Sequence, residues 1–243
     1  MRYALLSDIH GNLEALQAVL KDIDTRSIDK IVCLGDIVGY YPDPEKCVEL
    51  IKERAVKCVA GNHDYAAIGR IDTNTFTYYA FVAMEWTKKN ISVQSRQFLE
   101  TLPLQDFDGD LFFAHASPYR SQDWAYVFPD SEEVIFEAFN NLSRRLNFIG
   151  HTHWPSIMLQ DNDRIILLPD RTIITRDNQY YLVNVGSVGQ PRDFDSRSSY
   201  AIYDSEKHEI TLTRVKYDYH STQKKIIKNR LPQFLAERLE KGR

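Results

Sequence analysis

Arg2-Tyr3-Ala4-Leu5-Leu6-Ser7-Asp8-Ile9-His10 opens the chain with an apolar run over residues 2 to 7 that ends on a carboxylate and an imidazole two positions apart. The run reads as a strand. Just beyond it, Asn12 is placed to cap a helix in which Leu13, Leu16, Leu20 and Ile23 recur at helical spacing. The pattern then repeats outward. Residues 30 to 34 form a second β-type run, Pro44 starts a second helix through about Glu53, and Val56 to Ala60 reads as a third strand. Strand, helix, strand, helix, strand predicts parallel strands joined by right-handed crossovers, and so an α/β fold.

Further along, Thr75 to about Lys88 reads as a helix carrying Phe76, Tyr79, Ala83 and Trp86, a stripe whose spacing fits ordinary core. Ser92 caps another helix, which stops before Pro103. Leu111 to Ala114 and Leu146 to Ile149 are short apolar runs with a helix between them, around Glu132 to Leu142. From Ile157 onward, residues 157–160, 164–168, 171–175, 180–185, 199–204 and 209–215 look like short strands separated by turns rich in Asp, Asn, Gly and Ser. No repeat or long linker divides the chain, which predicts a single domain over residues 1–243. The expected architecture is two packed mixed β-sheets flanked by helices, the second sheet built from the C-terminal strands.

Composition narrows the function classes. With 43% hydrophobic and 26% charged residues the chain has apolar surface for a sizeable core and no sign of extended disorder. A net charge of -4 makes duplex nucleic acid a poor partner, and the basic stretch Lys224 to Arg230 reads as a solvated helix face. No apolar run reaches membrane-spanning length, and the opening run is too short for a signal peptide, so neither a membrane partner nor export is expected. Cys33, Cys47 and Cys58 show no C-x-x-C spacing, which fits free thiols in a reducing, cytoplasmic setting.

The chemistry-bearing residues sit at the strand ends. Five of the seven histidines lie directly after predicted strands, in Asp8-Ile9-His10, Asn62-His63-Asp64, His115 and His151-Thr152-His153, and Gly35-Asp36 occupies the same kind of position. Parallel strands point their carboxyl ends at one sheet edge, so these side chains are expected to converge. A single H-x-H pair is weak evidence, but five such elements at strand ends are not. Imidazole, carboxylate and amide oxygen without thiolate favour Mn, Fe, Co, Ni or Zn over Ca or Mg. Two dications facing Asp8, Asp36 and a bridging hydroxide leave a net positive cavity, suited to a phosphate anion.

These motifs (D-x-H, G-D, G-N-H-D, a lone His after a strand, G-H-x-H) resemble those of the calcineurin-like metallophosphoesterases. The resemblance implies a four-layer α/β/β/α sandwich. It also implies that Asp8, His10, Asp36 and His153 hold one divalent metal while Asp36, Asn62, His115 and His151 hold the other, with Asp36 bridging and Mn favoured. The stretches Gly35 to Tyr40 and Gly186 to Asp193 look like the small bacterial and archaeal phosphodiesterase branch. Phosphoprotein phosphatases of the superfamily carry G-D-x-x-D-R-G, whose second Asp orients the catalytic His, but here that position is Gly39. Asn184-Val185-Gly186-Ser187 likewise stands where the family often has Asn-Pro-Gly-Ser.

The expected activity is hydrolysis of phosphodiester bonds, of small nucleotide-like substrates, by two metals roughly 3.5 to 4 Å apart that activate a bridging water for in-line attack. His63 would protonate the leaving oxygen or stabilise its charge, and Asp64 would support the site or serve as a helix N-terminal acid. Asn62 and Arg192 are candidate substrate contacts, Arg192 competing with a surface salt bridge to Asp193 or Asp195. Tyr40, Tyr41 and Tyr65 flank ligand loops and are candidates to stack on an aromatic group or to pack. The rival readings are phosphomonoester or phosphoprotein hydrolysis and a non-catalytic metal-binding scaffold. Oligomeric state and substrate identity are not written in these motifs.

Overall fold

The computed structural model describes residues 1–162, 164–169 and 171–243. Strand β1 (Arg2–Leu6) turns Tyr3 and Leu5 to one side and Ala4 and Leu6 to the other, all of them buried. A strand buried on both faces belongs at the centre of a covered sheet. Its parallel neighbours are β2 (Lys30–Cys33) and, beyond that, β3 (Lys57–Cys58). On its other side come the antiparallel β11 (Ser198–Asp204), β12 (Glu209–Val215) and β9 (Thr172–Ile174). The second six-stranded sheet runs β4 (Gln105–Asp108), β5 (Leu111–Ala114), β6 (Leu146–Ile149), β10 (Tyr180–Asn184), β7 (Ser156–Asp161) and β8 (Arg164–Leu168). Strands β5, β6 and β10 are parallel.

Between the sheets lies a core that includes Leu5, Val32, Leu34, Phe113, Phe148 and Val183. Burying each such side chain contributes about 1.5–3 kcal/mol. Outside the first sheet pack α1 (Leu13–Asp24) and α2 (Pro44–Arg54), through Leu16, Val19, Val48 and Ile51. Outside the second packs α6 (Glu132–Asn140), whose Ile135 and Phe139 meet Phe112 and Leu182. The order is helix, sheet, sheet, helix, as expected. Among the described residues no helix is long and apolar enough to cross a membrane.

The structure departs from expectation where pairing is long-range. The C-terminal strands do not form the second sheet by themselves: β9, β11 and β12 extend the first, because the edge of β1 opposite β2 is open to an antiparallel partner, with Leu5 opposite Ala201. Strand β4, Gln-Asp-Phe-Asp, has no apolar alternation to betray it and survives as a polar edge. Helix α4 (Tyr78–Lys89) begins at Tyr78 rather than Thr75, since the Thr77 side chain accepts the Ala80 N–H and closes its first turn. The basic stretch Lys224 to Arg230 lies on α7 (Tyr219–Lys228) and the turn that ends it, where Arg230, at φ +56°, and Pro232 separate it from α8 (Gln233–Lys241). Two more helices, α3 (Asn62–Ala67) and α5 (Val93–Thr101), complete the path between the sheets.

Candidate metal centre

Immediately after β1 and β6 the backbone takes an expensive course. Asp8, His10, His151 and His153 have φ of +54°, +55°, +68° and +60°, and Asp36 after β2 has +53°. Each such conformation costs an L-residue about 1–3 kcal/mol unless its surroundings hold it. Here the loops hold one another: the Asp8 N–H donates to Gly35 O (3.1 Å), the His10 N–H to Asp36 O (2.9 Å) and the Gly189 N–H to Asp8 O (2.9 Å). The second sheet joins in, with the His151 N–H donating to Asp8 Oδ2 at 2.9 Å. Gly61 is required for a different reason, since a β-carbon there would sit 2.0 Å from Asp36 Oδ1.

The strained turns gather Asp8, His10 and His153 into one group and Asp36, His115 and His151 into another, with His63 joining His10 and Asp36. All are buried. Backbone carbonyls set the tautomer of four rings. His10 Nδ1 donates to Val38 O (3.2 Å), His115 Nδ1 to Leu34 O (2.8 Å), His153 Nδ1 to Gln190 O (2.6 Å) and His151 Nε2 to Trp124 O (2.9 Å). A carbonyl only accepts, so each of these nitrogens carries the proton and the other ring nitrogen keeps its lone pair.

Those lone-pair nitrogens face each other and the carboxylates. His10 Nε2 is 3.1 Å from His153 Nε2, and His115 Nε2 is 3.0 Å from His151 Nδ1. Asp8 Oδ1 lies 3.1 Å from His153 Nε2 and 3.6 Å from His10 Nε2, while Asp36 Oδ2 lies 3.3 Å from His115 Nε2 and 3.6 Å from His10 Nε2. Asp8 Oδ1 and Asn62 Oδ1 are buried without a hydrogen-bond partner among the described residues. Acceptors pointed at acceptors in a buried cluster require positive charge between them, and mixed nitrogen and oxygen donors suit divalent transition metals. The residues present therefore fit divalent transition-metal ions.

A proton is the alternative guest. Burial opposes charge on Asp8 and Asp36, yet the surrounding imidazoles hold both carboxyls well below the usual range. Burial likewise opposes a charged His115, but Asp36 and Asp8 overcome it and lift its pKa to about 10. His63 and His151 are pushed down to about 3, chiefly by burial.

His63 packs its ring against Tyr40 and Phe76, with centroids 4.7 and 4.9 Å away, and its Nδ1 has no partner. A β-carbon on Gly39 would lie 2.5 Å from that Nδ1. Any side chain at position 39 would therefore have to displace the His63 ring. Asp64 faces away from the cluster: its Oδ1 accepts the N–H groups of Ile37 (2.9 Å) and Val38 (3.2 Å), its Oδ2 that of Gly61 (3.0 Å), and burial raises its pKa to about 7. Half-buried Arg192 is held by Gln190 Oε1 (2.7 Å) and lies over the Tyr40 ring. It forms no ion pair among the described residues, since Asp193 pairs with Arg214 and Asp195 with Arg197. Its charge contributes to lowering the pKa values of His63, His151 and His153.

Of the three tyrosines, only Tyr40 lines the cleft beside the cluster. The Tyr41 hydroxyl accepts from Gln190 Nε2 at 2.8 Å, and that of Tyr65 donates to Leu102 O at 3.1 Å, so both are packing residues. Asn12 caps α1, accepting the Ala15 N–H at 3.3 Å. Sequence reasoning missed Trp124, whose carbonyl fixes His151, and the second role of Phe76, which lines the cleft as well as packing against the core. Their only signal is position, in or beside loops that border the ligand motifs.

Two mixed sheets between helices, with Asp and His gathered at the ends of their parallel strands, define a phosphate-ester hydrolase. The chain belongs to the calcineurin-like phosphoesterase superfamily, whose domain description matches residues 1–208. It is similar to an uncharacterised protein of Methanocaldococcus jannaschii, 43% identical over 244 residues that cover 99% of this chain and 98% of that one. It is also similar to the crystal structure of a metallophosphoesterase from Sphaerobacter thermophilus, with 38% identity and a TM-score of 0.88 over 100% of this chain and 99% of that one. A hypothetical protein of Pyrococcus horikoshii shares the fold at 20% identity, with a TM-score of 0.82 over 100% and 98% of the two chains.

Proposed function

We propose that this hydrolase cleaves phosphodiester bonds of small molecules with the help of two divalent cations, manganese favoured. Asp8, His10, Asp36 and His153 would hold one, and Asp36, Asn62, His115 and His151 the other. The carrying observation is the set of four imidazoles whose protons are committed to backbone carbonyls and whose lone pairs all face Asp8 and Asp36. Bound there, the cations supply a nucleophilic water at neutral pH and polarise the phosphoryl oxygens.

The chain's own residues do the rest. Asp36 stands between the two groups, with Oδ2 toward His115 and His10 and Oδ1 accepting the His63 N–H at 2.8 Å. Arg192, free of a carboxylate partner among the described residues, binds a non-bridging oxygen; its single charge suits a diester. His63 has Nδ1 shut off by Gly39, which leaves Nε2 for the leaving oxygen. With no acid to charge it, the neutral ring acts as a hydrogen-bond donor to developing negative charge. Asp64 positions His63 by pinning the Ile37–Val38 backbone to Gly61. The free thiols of Cys33, Cys47 and Cys58 agree with a cytoplasmic setting.

The test is a panel of matched mono- and diesters on protein reconstituted with Mn²⁺. Higher kcat/KM on the diesters is expected. A strong preference for monoesters would overturn the reading in favour of a phosphomonoesterase, and full metal loading without any hydrolysis would leave a metal-binding scaffold.

A further inference from the structure

Beside the cluster the surface opens into a slot of about 270 Å³ whose lining includes Asn62, His63 and His151. Tyr40 and Phe76 stand on the His63 side, Trp124 and Tyr126 on the His151 side. Resting on the phosphodiesterase reading, we infer that this slot receives a planar aromatic ring of the ester, of nucleobase type, and stacks it between the two walls while the phosphate sits on the cluster.

The wall on the His151 side is braced by its neighbours. Tyr126 lies flat on His151, with centroids 4.0 Å apart and planes 19° apart, and runs nearly parallel to Phe128 at 5.8 Å. Trp124 meets Tyr65 edge-on at 5.9 Å. Aromatic area is nonetheless left open to water, for Tyr126 is 47% exposed. An exposed, preset aromatic surface next to a phosphate-binding cluster is matched by a ligand that carries a π-face and a phosphate together. The size agrees: pockets for whole ligands run about 300–1,000 Å³, so this slot holds one ring system and not a second base.

The slot is also coupled to the chemistry. Trp124 is held at φ +55°, and its carbonyl accepts the hydrogen bond from His151 Nε2. A ring stacked on Trp124 therefore rests on the same residue that aims a metal-facing imidazole.

The experiment compares adenosine 2′,3′-cyclic phosphate with the 2,3-cyclic phosphate of methyl riboside, which carries a methoxy group in place of the base, on the manganese-loaded enzyme. The base is expected to raise kcat/KM at least about fivefold, the low end of what base stacking on aromatics contributes. Trp124→Leu, which keeps the backbone carbonyl, and Tyr126→Ala, a half-exposed position that a folded chain tolerates, are each expected to remove most of that ratio. Adenosine, which has no phosphate, is expected to quench the tryptophan fluorescence of the wild type and not of Trp124→Leu. Equal rates on the two cyclic esters without quenching would sink the slot and leave hydrolysis standing. Quenching without hydrolysis of either ester would keep the slot and sink the phosphodiesterase reading.

Discussion

At the scale of single residues, His63 and His115 carry the sharpest expectations. His63→Ala should retain two metals per chain and lose about 10² to 10⁴ in kcat, the range of a positioned proton or hydrogen-bond donor. Full turnover with full metal content would remove His63 from the mechanism. His115 concerns uptake of the ions. Asp36 and Asp8 lift its pKa to about 10, so near neutrality the cation-free cluster holds a proton that an incoming ion must expel. Apparent metal affinity should accordingly rise with pH up to about 10. Calorimetry in buffers of differing ionisation enthalpy would show protons released on binding, and binding without proton release would contradict this assignment. His63 was legible because it comes directly after Asn62 in an unbroken motif. Its packing was not, since Tyr40 and Phe76 reach it from separate segments.

At the scale of elements, the turn between β2 and α2 depends on a residue in α3. Asp64 accepts three backbone N–H groups from residues 37, 38 and 61. Removing that carboxylate leaves buried donors unpaired, at about 1–3 kcal/mol each. Asp64→Ala should therefore lower stability by roughly 3 kcal/mol or more, read as a drop in Tm that accompanies weakened metal binding. A variant that melts normally, binds metal normally and loses only kcat would instead mark Asp64 as a chemical participant. The ligand-bearing elements were readable because β1, β2, β5 and β6 each pair a buried apolar run with a polar residue at its end. Strand β4 and the cleft loop around Trp124 carry no such periodicity, and their placement comes from contacts made far along the chain.

At the scale of the whole molecule, both sheets contribute to one cluster. Asp8, His10, Asp36 and Asn62 come after β1, β2 and β3 of the first, while His115, His151 and His153 come after β5 and β6 of the second. Convergence of parallel strand ends was predictable; the sharing of C-terminal strands between sheets was not, because β-pairing partners are chosen across most of the chain length. Ions bound only by the folded arrangement should raise Tm in proportion to the logarithm of their concentration, and chelation should reverse the gain. A melting temperature indifferent to Mn²⁺ and to chelator would argue against the cluster as a metal centre.

Because the donors come from opposite faces of the inter-sheet core, an ion in this cluster works as a rivet. Sliding one sheet over the other by a fraction of a strand spacing would tear oxygen and nitrogen donors from the same ion at once. Loss of metal should thus show first as loosened shear between the two layers, with amide exchange rising at the ends of β1 and β6 together while the far edges, β9 and β8, stay as protected as before.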